Sequence, residues 1–340
     1  MEFVITGAVR YSGSSRSYLF LNVILSLFLV VGGAVVGRAG SKSEPKSASE
    51  AIIRAEMQIL AGDSLEGRGS GTRNELRAAQ YVASRLKEFG IQPLGDSGGY
   101  IHMAAPNDSQ RTWNVYGMLP GADRDAKSEV ILLSAHLDHL GIGSPVNGDS
   151  IYNGADDDAS GVIAVLELAR ILSKSAPYPR TIAFTFFGTE ELGGFGNRDF
   201  LAKPPFPLKS IVANLEFEMI GRPDAAVASD VLWLTGYERS DLGDKLHERG
   251  AKLVADPHPA EHFFKRSDNY ALARKGIIAQ TVSSFGLHHD YHQPSDEPST
   301  IDYAHMTRAI TSMIEPIQWL STSSFVPRWR EGMDPSQPKK

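Results

Sequence analysis

Short apolar segments rich in β-branched and aromatic residues alternate along this chain with segments of helical periodicity. The segments that we predict as strands are 129–136, 181–188, 211–221, 231–236 and 276–283. The segments that we predict as helices are 48–60, 73–89, 160–172, 240–248 and 303–320. Strands that alternate with helices form a mostly parallel sheet covered by helices on both faces. The sequence therefore predicts the α/β class, with a mostly parallel, mixed central sheet.

The rest of the chain contains no internal repeat and no second hydrophobic pattern that calls for another domain. We therefore assign one domain to residues 48–322, preceded by a polar linker at 40–47 and followed by a loose polar tail at 323–340. Its length is ample for a full hydrophobic core.

The N-terminal segment has a composition of its own. Residues 19–36 are apolar except for Asn22 and Ser26, two arginines precede them, and a small-x-small pattern follows at 37–39. This pattern predicts that residues 1–39 are a secretory signal peptide, and hence a secreted or periplasmic protein. The apolar stretch is also long enough to cross a bilayer, so an uncleaved anchor that holds the protein outside the cytoplasm is the alternative. We expect membrane association only in that second case.

Charge and cysteine content exclude several function classes. The formal net charge is -6, which argues against a nucleic-acid partner, because such surfaces need clustered lysine and arginine. The chain has no cysteine, which excludes disulfides, thiolate metal sites and a cysteine nucleophile.

Histidine and carboxylate residues follow several of the predicted strands. His136 and Asp138 end the first strand, the pair Glu190 and Glu191 follows the second, and Glu218 lies at the end of the third. The segment 283–298 after the last strand contains three histidines. In open α/β sheets, ligand sites form outside the carboxyl ends of strands. We therefore expect these side chains to converge.

Imidazoles and carboxylates without cysteine suit zinc or a related divalent ion. Two such ions need a shared ligand, and a carboxylate with two oxygens is the natural bridge. The run Asp156, Asp157 and Asp158 in "NGADDDASG" offers that carboxylate. Adjacent aspartates before a helix more often serve as N-terminal caps. The joint occurrence of all these motifs at strand ends favours the metal interpretation.

These motifs resemble those of the di-zinc aminopeptidase family of zinc-dependent exopeptidases, relatives of glutamate carboxypeptidase and glutaminyl cyclase. The matching segments are "LAGDSLEGRGSGT", "SAHLDHLG", "NGADDDASG", "FGTEELGGFG", "NLEFEMIGRP", "RSDNY" and "YHQPSDEP". The resemblance implies the zinc exopeptidase fold and a hydrolase that removes N-terminal residues. It also implies two Zn²⁺ ions and peptide substrates with a free N-terminus.

Carried over residue by residue, the resemblance implies a set of metal ligands and a set of catalytic residues. The metal ligands would be His136, Asp157, Glu191, Glu218 and His292. The bridging residue would be Asp157, followed by a cis peptide bond. Among the catalytic residues, Glu190 would be the general base, Asp138 would orient the His136 imidazole, and Tyr291 would hydrogen-bond the substrate carbonyl.

Two positions depart from the family pattern. Glu218 stands where many relatives have aspartate, and Asn269 replaces the histidine of the common "RSDH". Three alternative functions remain open. The first is a carboxypeptidase of acidic peptides, for which Lys265 and Arg266 are candidate carboxylate-binding residues. The second is a glutaminyl-peptide cyclotransferase with one zinc, and the third is a binding relative without catalysis.

Overall fold

The structure is a computed structural model that describes residues 47–107 and 110–337. The predicted signal peptide or anchor and all but the last residue of the predicted linker lie outside the described residues. The residues that the structure describes belong to one compact unit. None of the helices within these ranges is both long and apolar enough to cross a membrane.

Seven α-helices occur in the described ranges, alongside several short 3₁₀ turns. The helices are α1 (Glu50–Leu60), α2 (Arg73–Glu88), α3 (Gly161–Ser175), α4 (Phe195–Ala202), α5 (Leu242–Glu248), α6 (Asn269–Ala273) and α7 (Tyr303–Thr322). Three of them, α1, α2 and α7, begin with a side-chain cap. The Thr72 hydroxyl, for example, accepts hydrogen bonds from the main-chain N–H groups of Asn74 and Glu75 and so begins α2.

Nine strands form the central sheet of the described chain, and two more form a hairpin. The sheet strands are β1 (Gln92–Pro93), β2 (Ile101–Asn107), β3 (Gln110–Leu119), β4 (Val130–His136), β7 (Thr181–Phe187), β8 (Ile211–Phe217), β9 (Leu232–Leu234), β10 (Leu253–Ala255) and β11 (Ala279–Ser283). The hairpin strands are β5 (Gly141–Val146) and β6 (Asp149–Tyr152).

The sheet order is β1-β3-β7-β4-β8-β11-β9-β10, with β2 paired to β3. The four central strands β7, β4, β8 and β11 are mutually parallel. Strand β3 runs antiparallel to β7 at one side, and β9 runs antiparallel to β11 at the other. The prediction of a mostly parallel, mixed sheet is therefore confirmed.

Helices cover both faces of the sheet, as predicted. Successive residues of β4 point to opposite faces: Ile131 and Leu133 pack in the large core, which includes residues of α1, α2, α3 and α7. Val130 and Leu132 pack in the smaller core with residues of α4 and α6. Because the whole of β4 is buried on both faces, its sequence is apolar except for Ser134 until the strand ends at His136.

The C-terminal segment differs from the loose tail that the sequence predicted. Phe325 stacks on Trp319 at a ring-centroid distance of 5.4 Å. The Trp329 indole donates a hydrogen bond to the Gly276 carbonyl at 3.2 Å. These aromatic rings bury apolar area against the domain, so residues as far as Trp329 are packed in spite of their polar neighbours.

Candidate metal centre

The predicted site residues lie at the carboxyl ends of the four central parallel strands. His136 is the last residue of β4, and Glu218 directly follows β8. Glu190 and Glu191 follow β7, and His292 lies in the segment after β11. These four strands are immediate neighbours in the sheet, so their carboxyl ends open onto one cleft.

One group of potential metal ligands consists of His136, Asp157 and Glu218. One donor atom from each residue lies within 4.8 Å of those of the other two. His136 Nε2 is 3.0 Å from Asp157 Oδ1, and both side chains are almost fully buried. The Glu218 carboxylate belongs to this group, so a glutamate at this position can supply a ligand atom.

A second group shares Asp157 with the first and adds His139 and Glu191. His139 Nδ1 is 2.8 Å from Glu191 Oε1. His292 Nε2 lies 3.2 Å from Asp157 Oδ2 and 3.2 Å from Glu191 Oε2. The sequence reasoning missed His139, although it stands three residues after His136 in the same strand-end motif. Asp157 is the one side chain common to both groups, which is the position a bridging ligand must occupy.

The electrostatics of the centre fit divalent cations. Burial lowers the pKa of His136, but the hydrogen bond with Asp157 and the nearby carboxylates raise it far more. Burial likewise lowers the pKa of His292, and its bonds to Asp157 and Glu191 raise it to about 10. Protons are thus drawn onto imidazoles that face carboxylates. Nε2 of His139 is also buried without a hydrogen-bond partner. Such a donor set matches zinc, which would replace those protons.

The two aspartates beside Asp157 support the surrounding loops. Asp158 Oδ1 accepts hydrogen bonds from the N–H groups of Gly161 and Met219, and its Oδ2 accepts one from that of His136. Asp156 Oδ1 accepts from the Gly221 N–H at 2.7 Å. The peptide bond between Asp157 and Asp158 is cis, as the family resemblance implied. Both neighbours therefore bind main-chain groups on the segments that carry His136 and Glu218.

Two of the three histidines after β11 are turned away from the ligand groups. His288 Nε2 is 2.9 Å from Asp156 Oδ2. The side chain of His289 is 94% exposed, with Nε2 3.4 Å from Asp290. Only His292 faces Asp157 and Glu191, which matches the register that the resemblance gives.

Asp138 contacts the His136 imidazole through its main-chain carbonyl. His136 Nδ1 lies 3.1 Å from the main-chain carbonyl of Asp138 and 3.9 Å from its carboxylate. The carboxylate accepts hydrogen bonds instead from the Ser70 hydroxyl and from the main-chain N–H groups of Glu190 and Glu191. The role of Asp138 in orienting the His136 imidazole stays a prediction.

Glu190 lies in the cleft beside both ligand groups. Burial raises its pKa well above the ordinary value, and the charges of Asp268, Glu218 and Glu191 raise it further, against the opposing effect of His136. A carboxylate with a raised pKa is suited to exchange protons near neutral pH. The geometry of the loop is consistent with the expected role of Glu190 as a base.

Non-glycine residues with left-handed backbone conformations adjoin three of these side chains. Thr189 has φ 63° directly before Glu190, Met219 has φ 51° directly after Glu218, and His292 itself has φ 56°. Such conformations are costly and persist where the surrounding structure enforces them, often at functional sites. Here they coincide with the turns that direct the site residues into the cleft.

An aromatic pocket adjoins the centre. Its lining combines four candidate ligands and Glu190 with the aromatic rings of Trp233, Phe263, Phe285 and Tyr291. The Tyr291 ring stacks on His292 with centroids 3.9 Å apart. Trp233 is fixed by a hydrogen bond from its indole to Asp224 at 3.1 Å. Tyr291 is thus part of the cleft wall, and its hydrogen bond to the substrate carbonyl stays a prediction.

Arg68 is a structural residue that the sequence reasoning did not single out. It is fully buried and donates hydrogen bonds to the main-chain carbonyls of Leu60, Leu137, Asn153 and Gly154. Leu137 directly precedes Asp138, and Asn153 and Gly154 precede Asp156, whereas Leu60 ends α1. The guanidinium therefore connects the two loops that carry His136 and Asp157, while its charge offsets the buried aspartates.

Curated relatives match parts of the chain. A probable lipoprotein aminopeptidase, LpqL of Mycobacterium tuberculosis, is 27% identical over 57% of this chain and 37% of its own length. An aminopeptidase of Pseudomonas aeruginosa is 32% identical over 36% of this chain and 21% of its own length. The chain thus covers well under half of these relatives.

Solved structures share the fold at low sequence identity. BSAP, a zinc aminopeptidase from Bacillus subtilis, superposes with a TM-score of 0.63 at 14% identity, covering 81% of this chain and 96% of that one. A glutaminyl cyclase from Porphyromonas gingivalis gives 0.60 at 16% identity, with 80% and 99% covered. The sequence profile of peptidase family M28 matches residues 114–315, which contain every candidate ligand and Glu190. The chain therefore belongs to peptidase family M28.

Proposed function

We propose that this protein is a zinc-dependent aminopeptidase that hydrolyses the N-terminal peptide bond of peptides with two metal ions. The observation that carries the proposal is the position of Asp157, whose carboxylate belongs to both candidate ligand groups, with Glu190 beside them. His136 and Glu218 would hold one ion, Glu191 and His292 the other, and Asp157 both. When bound, the ions would act as Lewis acids and lower the pKa of the attacking water.

The protein's own residues would bind the substrate and move the protons. Glu190 would take a proton from the attacking water and later deliver it to the leaving amine. The Tyr291 hydroxyl would donate a hydrogen bond to the carbonyl oxygen of the scissile bond. The aromatic pocket formed by Trp233, Phe263 and Phe285 would hold an apolar side chain of the N-terminal residue and exclude water from it.

The charge of the cleft supports the choice of the amino end. Asp157, Glu190, Glu191 and Glu218 all line the aromatic pocket. Bound ions would neutralise the proposed ligands Asp157, Glu191 and Glu218, so Glu190 is the carboxyl group of this set left to attract a cationic α-amine and to disfavour an α-carboxylate. The pocket also contains Arg266, which is the remaining argument for carboxypeptidase activity. We also propose that the protein acts outside the cytoplasm, on the basis of its apolar N-terminal segment; one relative is named a lipoprotein.

The test uses one leucine-initiated peptide in three forms, namely free, N-acetylated and C-amidated. Each is incubated with purified protein, with chelator, and with chelator followed by added Zn²⁺. The proposal expects release of leucine from the free and amidated forms, none from the acetylated form, and recovery of activity with zinc. Cleavage of the acetylated form with loss of activity on the amidated form would indicate a carboxypeptidase. Conversion of a glutamine-initiated peptide to its pyroglutamyl form, without hydrolysis, would indicate a cyclase.

A further inference from the structure

A second groove of about 670 Å³ opens beside Glu190 and is bordered by basic side chains. These side chains are Arg198, Lys265, Arg266, Arg274 and Lys275. The volume is typical of protein ligand sites. The whole chain has a formal net charge of -6, so five positive charges in one groove run opposite to the overall balance. Such a local field attracts anionic groups.

Most of these charges are free to meet a ligand. Among the described residues, Arg266 is the only one of the five with an ion pair, to Glu261 at 3.3 Å. All five side chains belong to exposed residues. The carboxyl groups that line the groove are Glu190 and Asp268, and Asp268 is only 5% exposed. The groove therefore presents an uncompensated positive surface to solvent.

Glu190 and Arg266 line both this groove and the aromatic pocket. Glu190 thus lies where the two spaces meet. In the proposed aminopeptidase reaction, the N-terminal side chain fills the aromatic pocket and Glu190 gives its proton to the leaving nitrogen. The leaving part of the peptide must therefore begin beside Glu190, and the basic groove is the space next to it.

We propose that the basic groove binds carboxylates on the leaving part of the peptide, so that the enzyme favours peptides with acidic residues directly after the scissile bond. This inference rests on the proposed function. A free C-terminal carboxylate on a short peptide carries the same chemistry, and the experiment separates the two sources. Attraction between solvent-exposed charges falls with ionic strength, so the preference should weaken in high salt.

The substrates form a matched set with one N-terminal residue. They are Leu-Glu-Glu-Ala-amide, its isosteric neutral partner Leu-Gln-Gln-Ala-amide, Leu-Lys-Lys-Ala-amide, and Leu-Gln-Gln-Ala with a free carboxylate. The release of leucine gives kcat/KM for each at low and high salt. We expect the glutamate peptide to exceed its glutamine partner by roughly three- to tenfold at low salt, and the lysine peptide to be the poorest.

The variant that tests the groove is the double charge reversal Arg274→Glu and Lys275→Glu. It should lower the ratio of kcat/KM between the glutamate and glutamine peptides to about one or below. The matched control is Arg124→Glu with Lys127→Glu. Those residues are also exposed and precede β4, at the opposite edge of the sheet from Glu190, and this control should keep the wild-type ratio.

The outcomes separate this inference from the proposed function. Release of leucine from the glutamine peptide, with equal kcat/KM for the glutamate peptide, would overturn the acidic preference and leave the aminopeptidase intact. A higher kcat/KM only for the peptide with a free carboxylate would assign the groove to the chain terminus and overturn the preference for acidic side chains. Equal loss of the ratio in both double variants would show that the effect comes from net charge, not from the groove. Failure to release leucine from any of the four would contradict the proposed function itself.

Discussion

The carboxylate of Asp138 accepts a hydrogen bond from the main-chain N–H of Glu190 at 2.9 Å, and a longer one from that of Glu191 at 3.4 Å. Asp138 follows β4, whereas the two glutamates follow β7. One buried carboxylate therefore fixes the turn that presents both the proposed base and a proposed ligand. Its main-chain carbonyl also faces the imidazole of His136.

We expect Asp138→Asn to lower kcat/KM by about ten- to a hundredfold, as loss of supporting contacts around a metal site commonly does. An amide offers one acceptor oxygen, and its NH₂ group would face one of the two N–H donors. The matched control is Ser70→Ala, which removes only the hydroxyl that also bonds this carboxylate. Kinetics and elemental analysis of both folded variants give the comparison. Equal activity of Asp138→Asn and wild type would show that the turn holds without this carboxylate.

The proposed base can be tested by Glu190→Gln. Glutamine has nearly the same shape but cannot accept the proton, so we expect kcat to fall on the order of a hundredfold to ten-thousandfold. The metal content should stay at the wild-type level, because Glu190 belongs to neither candidate ligand group. A variant that keeps most of its kcat would show that another group acts as the base.

The sequence predicted the strands that carry the site better than it predicted the edges of the sheet. Strands β4, β7 and β8 are mostly apolar because they are buried, and an apolar segment leads into β11, so all four were recognised. Strand β3 was missed, because its buried Asn114 and its Gly117 interrupt the apolar pattern. Asn114 is accommodated by hydrogen bonds to the Gly188 N–H and the Gly196 carbonyl, which only the folded chain brings near.

The residues of the site, like the strands, could be predicted only in part. The ligand types could be identified from their motifs, because each motif lies at the end of a recognisable strand. The sequence did not predict how the hydrogen bonds are distributed around Asp138, nor that His139 lies beside Glu191. Both depend on distances between segments about fifty residues apart in the chain. Spacing in the sequence carries no information on such distances.

The position of Asp157 between the two ligand groups predicts a graded response across the three aspartates. We expect Asp157→Asn to lose most of the bound metal at both positions, because the amide oxygen is neutral and a weak bridge. Asp156→Asn should keep both ions, since Asp156 bonds Gly221 and His288 and belongs to neither group. Elemental analysis of zinc-loaded, desalted proteins measures the number of metal ions bound per chain.

Asp158→Asn provides the internal control for that series. It should lower thermal stability more than metal content, because the amide keeps only one of the two oxygens that accept hydrogen bonds from main-chain N–H groups of three segments. Circular dichroism melting of all three variants separates unfolding from metal loss. An equal loss of metal from three folded variants would refute the assignment of Asp157 as the bridge.

We expect a histidine outside the metal centre, His102, to make the free energy of unfolding depend on pH. His102 in β2 is held between Asp96 and Asp199, each at 2.6 Å, and Asp199 belongs to α4. Burial lowers the pKa of His102, but the bonds to Asp199 and Asp96 outweigh it, so the folded-state pKa lies above the ordinary value. The protonated form is therefore favoured by folding.

The raised folded-state pKa of His102 determines how its contribution to stability depends on pH. The contribution of His102 is fully present below the unfolded-state pKa of about 6.5, and it is lost as pH rises through the folded-state pKa. We expect His102→Gln to reduce the free energy of unfolding in urea at about pH 6 more than at about pH 9. A pH-independent difference between variant and wild type would show that only packing is lost. Lys203→Gln, which removes a neighbouring exposed partner of Asp199, is the control.

The two histidines near Glu191 should differ in their effect on the second metal. His292 Nε2 lies 3.2 Å from both Asp157 and Glu191, whereas His139 Nδ1 directly bonds Glu191 at 2.8 Å. We therefore expect His292→Ala to abolish binding of the second ion and leave one zinc per chain. His139→Ala should keep two ions at high zinc concentration but weaken the second by about ten- to a hundredfold, since it removes a partner that orients the ligand. Zinc titration by calorimetry on both variants measures stoichiometry and affinity together. The reverse pattern, with one zinc in His139→Ala and two in His292→Ala, would make His139 the ligand and assign His292 to the wall of the cleft.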